Sequence, residues 1–126
     1  MNLVVDSSFV IDHLLGDPGA SARWDRVFED GDVPLVTEIV VCEVRAGLRE
    51  RDEQHLASFL APVEFIQPGI ESAIQAGRWR YDAHRRGRRL SLADALIAAA
   101  ADDVNAAVLT RNVRDFTLTP VRIETY

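Results

Sequence analysis

The chain has 126 residues, 48% of them apolar and 27% charged, which suits one soluble unit with a real core and leaves little room for a second. A net charge of −6 and a pI of about 5.0 argue against a protein that coats nucleic acid through bulk charge. Cys42 is the only cysteine, so no intrachain disulfide can form; apolar runs fall well short of the ~18 residues of a membrane span, no signal peptide is visible, and a cytoplasmic protein without a membrane partner is expected.

Leu3-Val4-Val5 is predicted to be a fully buried strand that ends at Asp6. Ser7 or Ser8 can cap a helix over roughly Phe9 to Leu15, stopped by Gly16-Asp17-Pro18-Gly19. Ala20 to Glu29 is predicted helical, with Ala20, Trp24, Val27 and Phe28 on one face. Pro34 to Val36 is a short second strand. Thr37 then caps a helix from Glu38 to Arg49, with Ile39, Val40, Val44 and Leu48 as its apolar positions.

Asp52 to Leu60 is a short helix. Val63 to Ile66 is a third strand, closed by Pro68-Gly69. The longest helix is predicted over Ile70 to Arg86, where Ile70, Ile74, Gly77 and Tyr81 recur on one stripe with Trp79 as a contact residue beside it. Ser91 caps an Ala-rich helix of high propensity, which Asn105 breaks. Ala106 to Thr110 is a fourth buried strand, and Val121-Arg122-Ile123 a weak last one. Short apolar strands alternating with helices imply a mainly parallel sheet with helices on both faces. In such sheets, sites form beyond the carboxyl ends of the strands.

Four acidic residues share that logic. Asp6 ends a buried strand, and Asp115 follows the end of another. Glu43 is placed on or beside the apolar face of its helix, where either a salt bridge to an arginine or a ligand role accounts for it. Asp94 stands among Leu90, Ser91, Ile97 and Ala98 on a mostly apolar face. It either closes a capping box with Ser91 or serves as a ligand. Clustered carboxylates repel, so a site built from them raises some pKa values or binds a hard cation. Oxygen ligands without His or Cys favour Mg²⁺ or Mn²⁺ over Zn²⁺. His13, His55 and His84 are scattered and lack metal-ligand spacing.

The start Asp6-Ser7-Ser8 after a strand, Glu43 within VVCEVRAG, Asp94 within LADALIAA, and the closing LTRNVRDF together resemble the PIN-domain ribonucleases. The likeness is strongest to the VapC-type toxins of type II toxin–antitoxin pairs and covers essentially the whole chain. It implies a single PIN domain over residues 1–126, with a PIN-like three-layer α/β/α sandwich and a mainly parallel central sheet. It also implies a Mg²⁺- or Mn²⁺-dependent endoribonuclease that cleaves tRNA or rRNA to inhibit translation. Asp6, Glu43 and Asp94 match the three core acids. Many family members carry Asp two residues after the threonine matching Thr110; here that residue is Asn112, with Asp115 nearby, and either completes the set. Ser8 and Thr110 match the usual polar supports. A homodimer restrained by a cognate VapB-type antitoxin is implied, the antitoxin docking an apolar segment at the rim of the acidic pocket.

All 14 basic residues are Arg, and six lie between Arg78 and Arg89. Arg85, Arg86, Arg88 and Arg89 are candidate RNA contacts because guanidinium forks onto phosphate; a solvated helix face is the alternative. A haloacid-dehalogenase-like phosphatase needs a second Asp where Ser8 stands, and a receiver domain needs a Lys this chain lacks. No P-loop or GxGxxG supports nucleotide binding. A non-catalytic PIN-like RNA- or protein-binding module is the competing class, and it has no need of costly inward carboxylates.

Overall fold

In the computed structural model, which describes residues 1–126, five strands form one sheet in the order β3-β2-β1-β4-β5. They are β1 (Asn2–Val5), β2 (Val33–Thr37), β3 (Glu64–Ile66), β4 (Ala107–Leu109) and β5 (Ile123–Glu124). Every pairing is parallel. Leu3, Val4, Val5, Val108 and Leu109 have no exposed surface. Residues 3–5 of β1 and Ala107–Leu109 of β4 are unbroken apolar runs because helices cover a parallel sheet on both faces.

Seven helices supply the outer layers: α1 (Ser7–Leu14), α2 (Pro18–Glu29), α3 (Glu38–Ala46), α4 (Glu53–Leu60), α5 (Ile70–Arg85), α6 (Leu92–Asp103) and α7 (Val113–Phe116). This is the α/β/α sandwich expected, with a sheet that is parallel throughout. None of the helices is long and apolar enough to cross a membrane.

The topology creates the crevice. From β1 the chain builds β2 and β3 on one side, then returns to lay β4 against the other edge of β1. A cleft opens at such a reversal, beyond the carboxyl ends of the two diverging strands. Val5 pairs with Leu109, so the next residues, Asp6 and Thr110, emerge side by side there.

Local chemistry sets most element ends. Asp17 accepts the Ala20 amide at 2.8 Å to cap α2, and Pro18 occupies the first helical turn. α6 ends where Asn105 adopts a left-handed φ of 52°, and the Ala106 amide reaches back to the Ala101 carbonyl at 2.8 Å. Asn tolerates that conformation, and the bond satisfies an end carbonyl.

Four expectations need correction. Asp6, rather than Ser7 or Ser8, is the N-cap of α1, so both serines lie in its first turn. α3 stops at Ala46 and not at Arg49, because Gly47 is a poor helix residue and Arg45 Nη1 binds the Leu48 carbonyl at 3.2 Å. The Ile70-Ile74-Tyr81 stripe of α5 faces solvent, while Ser72, Ala76 and Ala83 are buried. That face packs against Ala95 and Ala99 of α6, where only small side chains let two helices approach. α7 has no counterpart in the sequence pattern. Its four residues are too few to show periodicity, and it is pinned by the fully buried Phe116.

Candidate active site

Asp6 follows directly on the carboxyl end of β1 and is 3% exposed. Its Oδ2 accepts hydrogen bonds from Thr110 Oγ1 at 2.7 Å and Ser8 Oγ at 2.9 Å. Ser8 Oγ also accepts the Arg111 amide at 3.1 Å, and Thr110 Oγ1 accepts the Asn112 amide at 2.8 Å. The two hydroxyls thus tie β1, α1 and the segment after β4 into one frame. The frame orients one oxygen of Asp6 and leaves Oδ1 without a protein donor.

Asp94 stands in the first turn of α6. The Asp94 amide donates to Ser91 Oγ at 3.1 Å, so the helix start is capped by Ser91. The Asp94 carboxylate is not needed for that cap. Its pKa is pushed up to about 6, first by burial and then by repulsion from Asp6, with Asp115 and Glu43 adding to it; the Ser91 hydrogen bond opposes the rise. Three other carboxylates, carried by the end of β1, by α3 and by α7, therefore act on this one group.

Glu43 is exposed rather than inward, because its neighbour Val44 takes the buried position on α3. No arginine pairs with it. Ser7 Oγ donates to Glu43 Oε1 at 2.6 Å, which holds the carboxylate over the start of α1. Asp115 is half-buried in α7, while Asn112 is exposed at the N-cap of α7 with no side-chain cap bond. Asp115 adds to the rise at Asp94, whereas Asn112 is uncharged. No three of these side chains, as placed, have the spacing to share one metal ion.

The rise at Asp94 has a definite sign. Folding favours the protonated acid, so ionisation costs stability as pH rises from about 4 through 6, and the cost is complete above that. In metal-free protein, Asp94→Asn should therefore raise stability at pH 7.5 by on the order of 1 kcal/mol, after discounting a half-exposed group for solvent screening. The gain should shrink towards pH 4. Thermal unfolding of both proteins across this range checks it; a variant less stable than wild type at pH 7.5 would contradict it.

Two features near the crevice escaped the sequence pattern. Arg111 Nη1 binds both oxygens of Asp12 at 2.7 and 2.9 Å, and Tyr126 OH donates to Asp12 Oδ2 at 2.5 Å. This network fastens the C-terminal residue and the segment after β4 to α1. Burial and the Asp12 contact both raise the Tyr126 pKa, so the phenol keeps its proton. No sequence spacing signals contacts 99 and 114 residues apart.

The predicted arginine group is split by the fold. Arg88 and Arg89 line a hollow with Arg80 and His84. Arg85 sits over the Tyr81 ring, and Arg86 Nε bonds the Asp82 carbonyl at 3.3 Å.

Comparison with known proteins gives the family and the fold. The PIN domain family matches residues 3–120. Ribonuclease VapC19 of Mycobacterium tuberculosis is 34% identical over 119 residues, covering 93% of this chain and 94% of that protein. Ribonuclease VapC10 of the same organism is 33% identical over 116 residues, covering 90% and 85%. The fold is shared with VapBC2 from Rickettsia felis bound to a DNA fragment from its promoter, at a TM-score of 0.87, 20% identity, and coverage of 100% and 99%. It is shared equally with DNA-bound VapBC from Salmonella typhimurium, at 0.86, 21%, and 99% and 98%. The chain belongs to the PIN-domain family and is of the VapC type.

Proposed function

We propose that this protein is a divalent-metal-dependent endoribonuclease and the toxin of a toxin–antitoxin pair, cutting tRNA or rRNA and so inhibiting translation. One observation carries the reading: carboxylates from four separate elements bear on one crevice, and burial together with Asp6, Asp115 and Glu43 raises Asp94 to about 6. Such an arrangement is destabilising on its own and becomes favourable with a bound hard cation. The oxygen-only donor set fits Mg²⁺ or Mn²⁺. Asp6, with its unbonded Oδ1, and Asp94 would be the primary ligands, with Glu43 and Asp115 holding further waters or a second ion. A divalent ion held there supplies a water of lowered pKa and neutralises charge on a phosphodiester. The protein's own part is orientation. Thr110 and Ser8 fix Asp6, Ser7 fixes Glu43, and Ser91 fixes the start of α6 beneath Asp94.

RNA cleavage is expected only with added Mg²⁺ or Mn²⁺. A time course of labelled RNA with and without excess EDTA tests this, and undiminished cleavage in EDTA overturns the reading. It would equally be overturned by protein that binds RNA in the presence of either ion and never cuts it, which is the behaviour of a non-catalytic module.

The fourth acidic position has its own test. Asp115→Ala is expected to weaken Mn²⁺ binding by at least about tenfold and Asn112→Ala by much less. Isothermal titration of both variants measures it, and a larger loss at Asn112 would reverse the assignment.

The same reading makes the protein a homodimer restrained by a VapB-type antitoxin. Relatives of this fold were solved as toxin–antitoxin complexes. An apolar cleft of about 360 Å³ between α1 and α3, with Ile11, Leu14, Leu15 and Leu48 in its walls, suits the apolar segment of such a partner. Phe65, Ile70 and Ile74 are exposed on a different surface, available to a second copy of the chain.

A further inference from the structure

α5 and α6 form an antiparallel pair. Glu71 and Gln75 near the start of α5 lie beside Asp102 and Asp103 at the end of α6. At the other end, Arg80 Nε donates to the Leu90 carbonyl at 3.1 Å. The turn between the helices is tightly specified. Gly87 adopts a left-handed φ of 70°, the Arg88 amide bonds the Ala83 carbonyl at 2.9 Å, and the Gly87 amide bonds the His84 carbonyl at 3.0 Å. This is a Schellman end, which needs a residue without a Cβ penalty at Gly87 and folds the following residues back onto α5.

That fold-back makes a hollow of about 640 Å³, with Arg80, Tyr81, His84, Arg88, Arg89 and Leu90 in its walls. No carboxylate lines it, in a chain of net charge −6. The side chains of Arg88 and Arg89 make no hydrogen bond or ion pair within the protein, and Arg80 commits only its Nε. Three guanidinium groups therefore keep free donors around one space. Unpaired like charges held together are costly, and an anion with several oxygens relieves them.

Tyr81 adds the second chemistry. Its ring is 63% exposed at the edge of the hollow, with Arg85 over it at 5.8 Å. An exposed aromatic beside arginines is the pairing that takes an unstacked base and its phosphate together. Arg86 lies apart, in a separate hollow with Asp82 and Arg85. The position also matters. Ser91 caps α6 directly after the turn, and Asp94 follows in the first helical turn, four residues along the chain from Leu90 in the wall of the hollow.

We propose that the hollow formed by Arg80, Arg88, Arg89 and Tyr81 is a cradle for one nucleotide of single-stranded RNA, with its phosphate on the arginines and its base on the ring. It holds the strand that the acidic crevice cuts, and the choice of RNA as ligand rests on the nuclease reading. Arg88 and Arg89 are the phosphate contacts; Arg85 and Arg86, their neighbours in sequence, are not.

Binding is tested apart from cleavage, in the full-length Asp6→Asn protein with EDTA, by fluorescence anisotropy of a labelled single-stranded oligoribonucleotide at several salt concentrations. The paired change Arg88→Gln/Arg89→Gln should weaken binding at least about tenfold and reduce the salt slope by about 1.4, since each single-strand phosphate contact contributes about 0.7. Arg85→Gln/Arg86→Gln should leave the slope as it was. Tyr81→Ala should weaken single-stranded RNA while leaving duplex RNA unchanged, because only an unstacked base reaches the ring. All these side chains are exposed or at the rim, and unchanged thermal unfolding confirms that each variant is folded. An unchanged slope in the Arg88/Arg89 variant, or an equal fall in the Arg85/Arg86 variant, overturns the cradle. So does a variant that keeps RNA affinity and loses only a poly-glutamate peptide, which would make the hollow a protein-docking site. Cleavage by wild type with and without EDTA separately decides the nuclease reading, so the two can fail independently.

Discussion

Asp6→Asn is expected to reduce RNA cleavage by at least about 100-fold, the scale seen when one preorganised electrostatic group is removed from a reacting centre. The protein should stay folded. Asn keeps an oxygen that can accept from Thr110 Oγ1 and Ser8 Oγ, the two donors that now hold Oδ2. That choice directs the amide NH₂ to where Oδ1 stands, and places a donor where a cation requires an acceptor. Losing one of several mutually repelling charges also leaves metal-free stability level or higher. Single-turnover cleavage and thermal unfolding, measured on the same preparation, check both halves. Near-normal cleavage by the variant would remove Asp6 from the chemistry; collapse of the fold would make it a structural residue.

Phe9→Ala should destabilise the protein by about 4 kcal/mol, the usual scale for deleting a buried aromatic. Phe9 has no exposed surface and packs against Trp24, Tyr126 and His13, at ring-centroid distances of 5.9, 5.1 and 6.5 Å. The cavity would lie under the first turn of α1. Leu15→Ala is the contrast, because Leu15 is 78% exposed; a change of less than about 0.5 kcal/mol is expected there. Urea unfolding with an unchanged m-value measures both. A small effect at Phe9 would mean that the cluster of Phe9, Trp24, His13 and Tyr126 repacks freely.

The distribution of acids was legible to different degrees, and the reasons are physical. Asp6 is legible by position, because a short apolar strand ends directly on it. Asp94 carries a clear helix-start signal in Ser91, but a capping box and a ligand look alike in sequence. The structure shows both sides of that ambiguity: Ser91 Oγ caps the Asp94 amide and also bonds its carboxylate, while burial and the charges of Asp6, Asp115 and Glu43 still raise that carboxylate. Glu43 was expected on or beside the apolar face of α3, as a ligand or as the partner of an arginine. Helical phase alone cannot tell the edge of an apolar face from its centre, and the observed partner, Ser7, lies on another helix.

Local pattern by itself determined the alternation of buried strands and helices, the parallel sheet and the turn at Asn105, while the choice of Asp6, Glu43 and Asp94 as core acids came from the family resemblance. The features read from local pattern follow from interactions among residues a few positions apart: propensity, capping and apolar periodicity. The order of the strands, the side of the sheet that β4 joins, the short helix that presents Asp115, the solvent-facing stripe of α5 and the Asp12–Arg111–Tyr126 network were decided only by tertiary structure. Those features depend on contacts between residues far apart in the chain. Burying Phe116, packing Ala76 and Ala83 on α6, and pairing Val5 with Leu109 are collective outcomes of filling one core, and no window of sequence contains both partners.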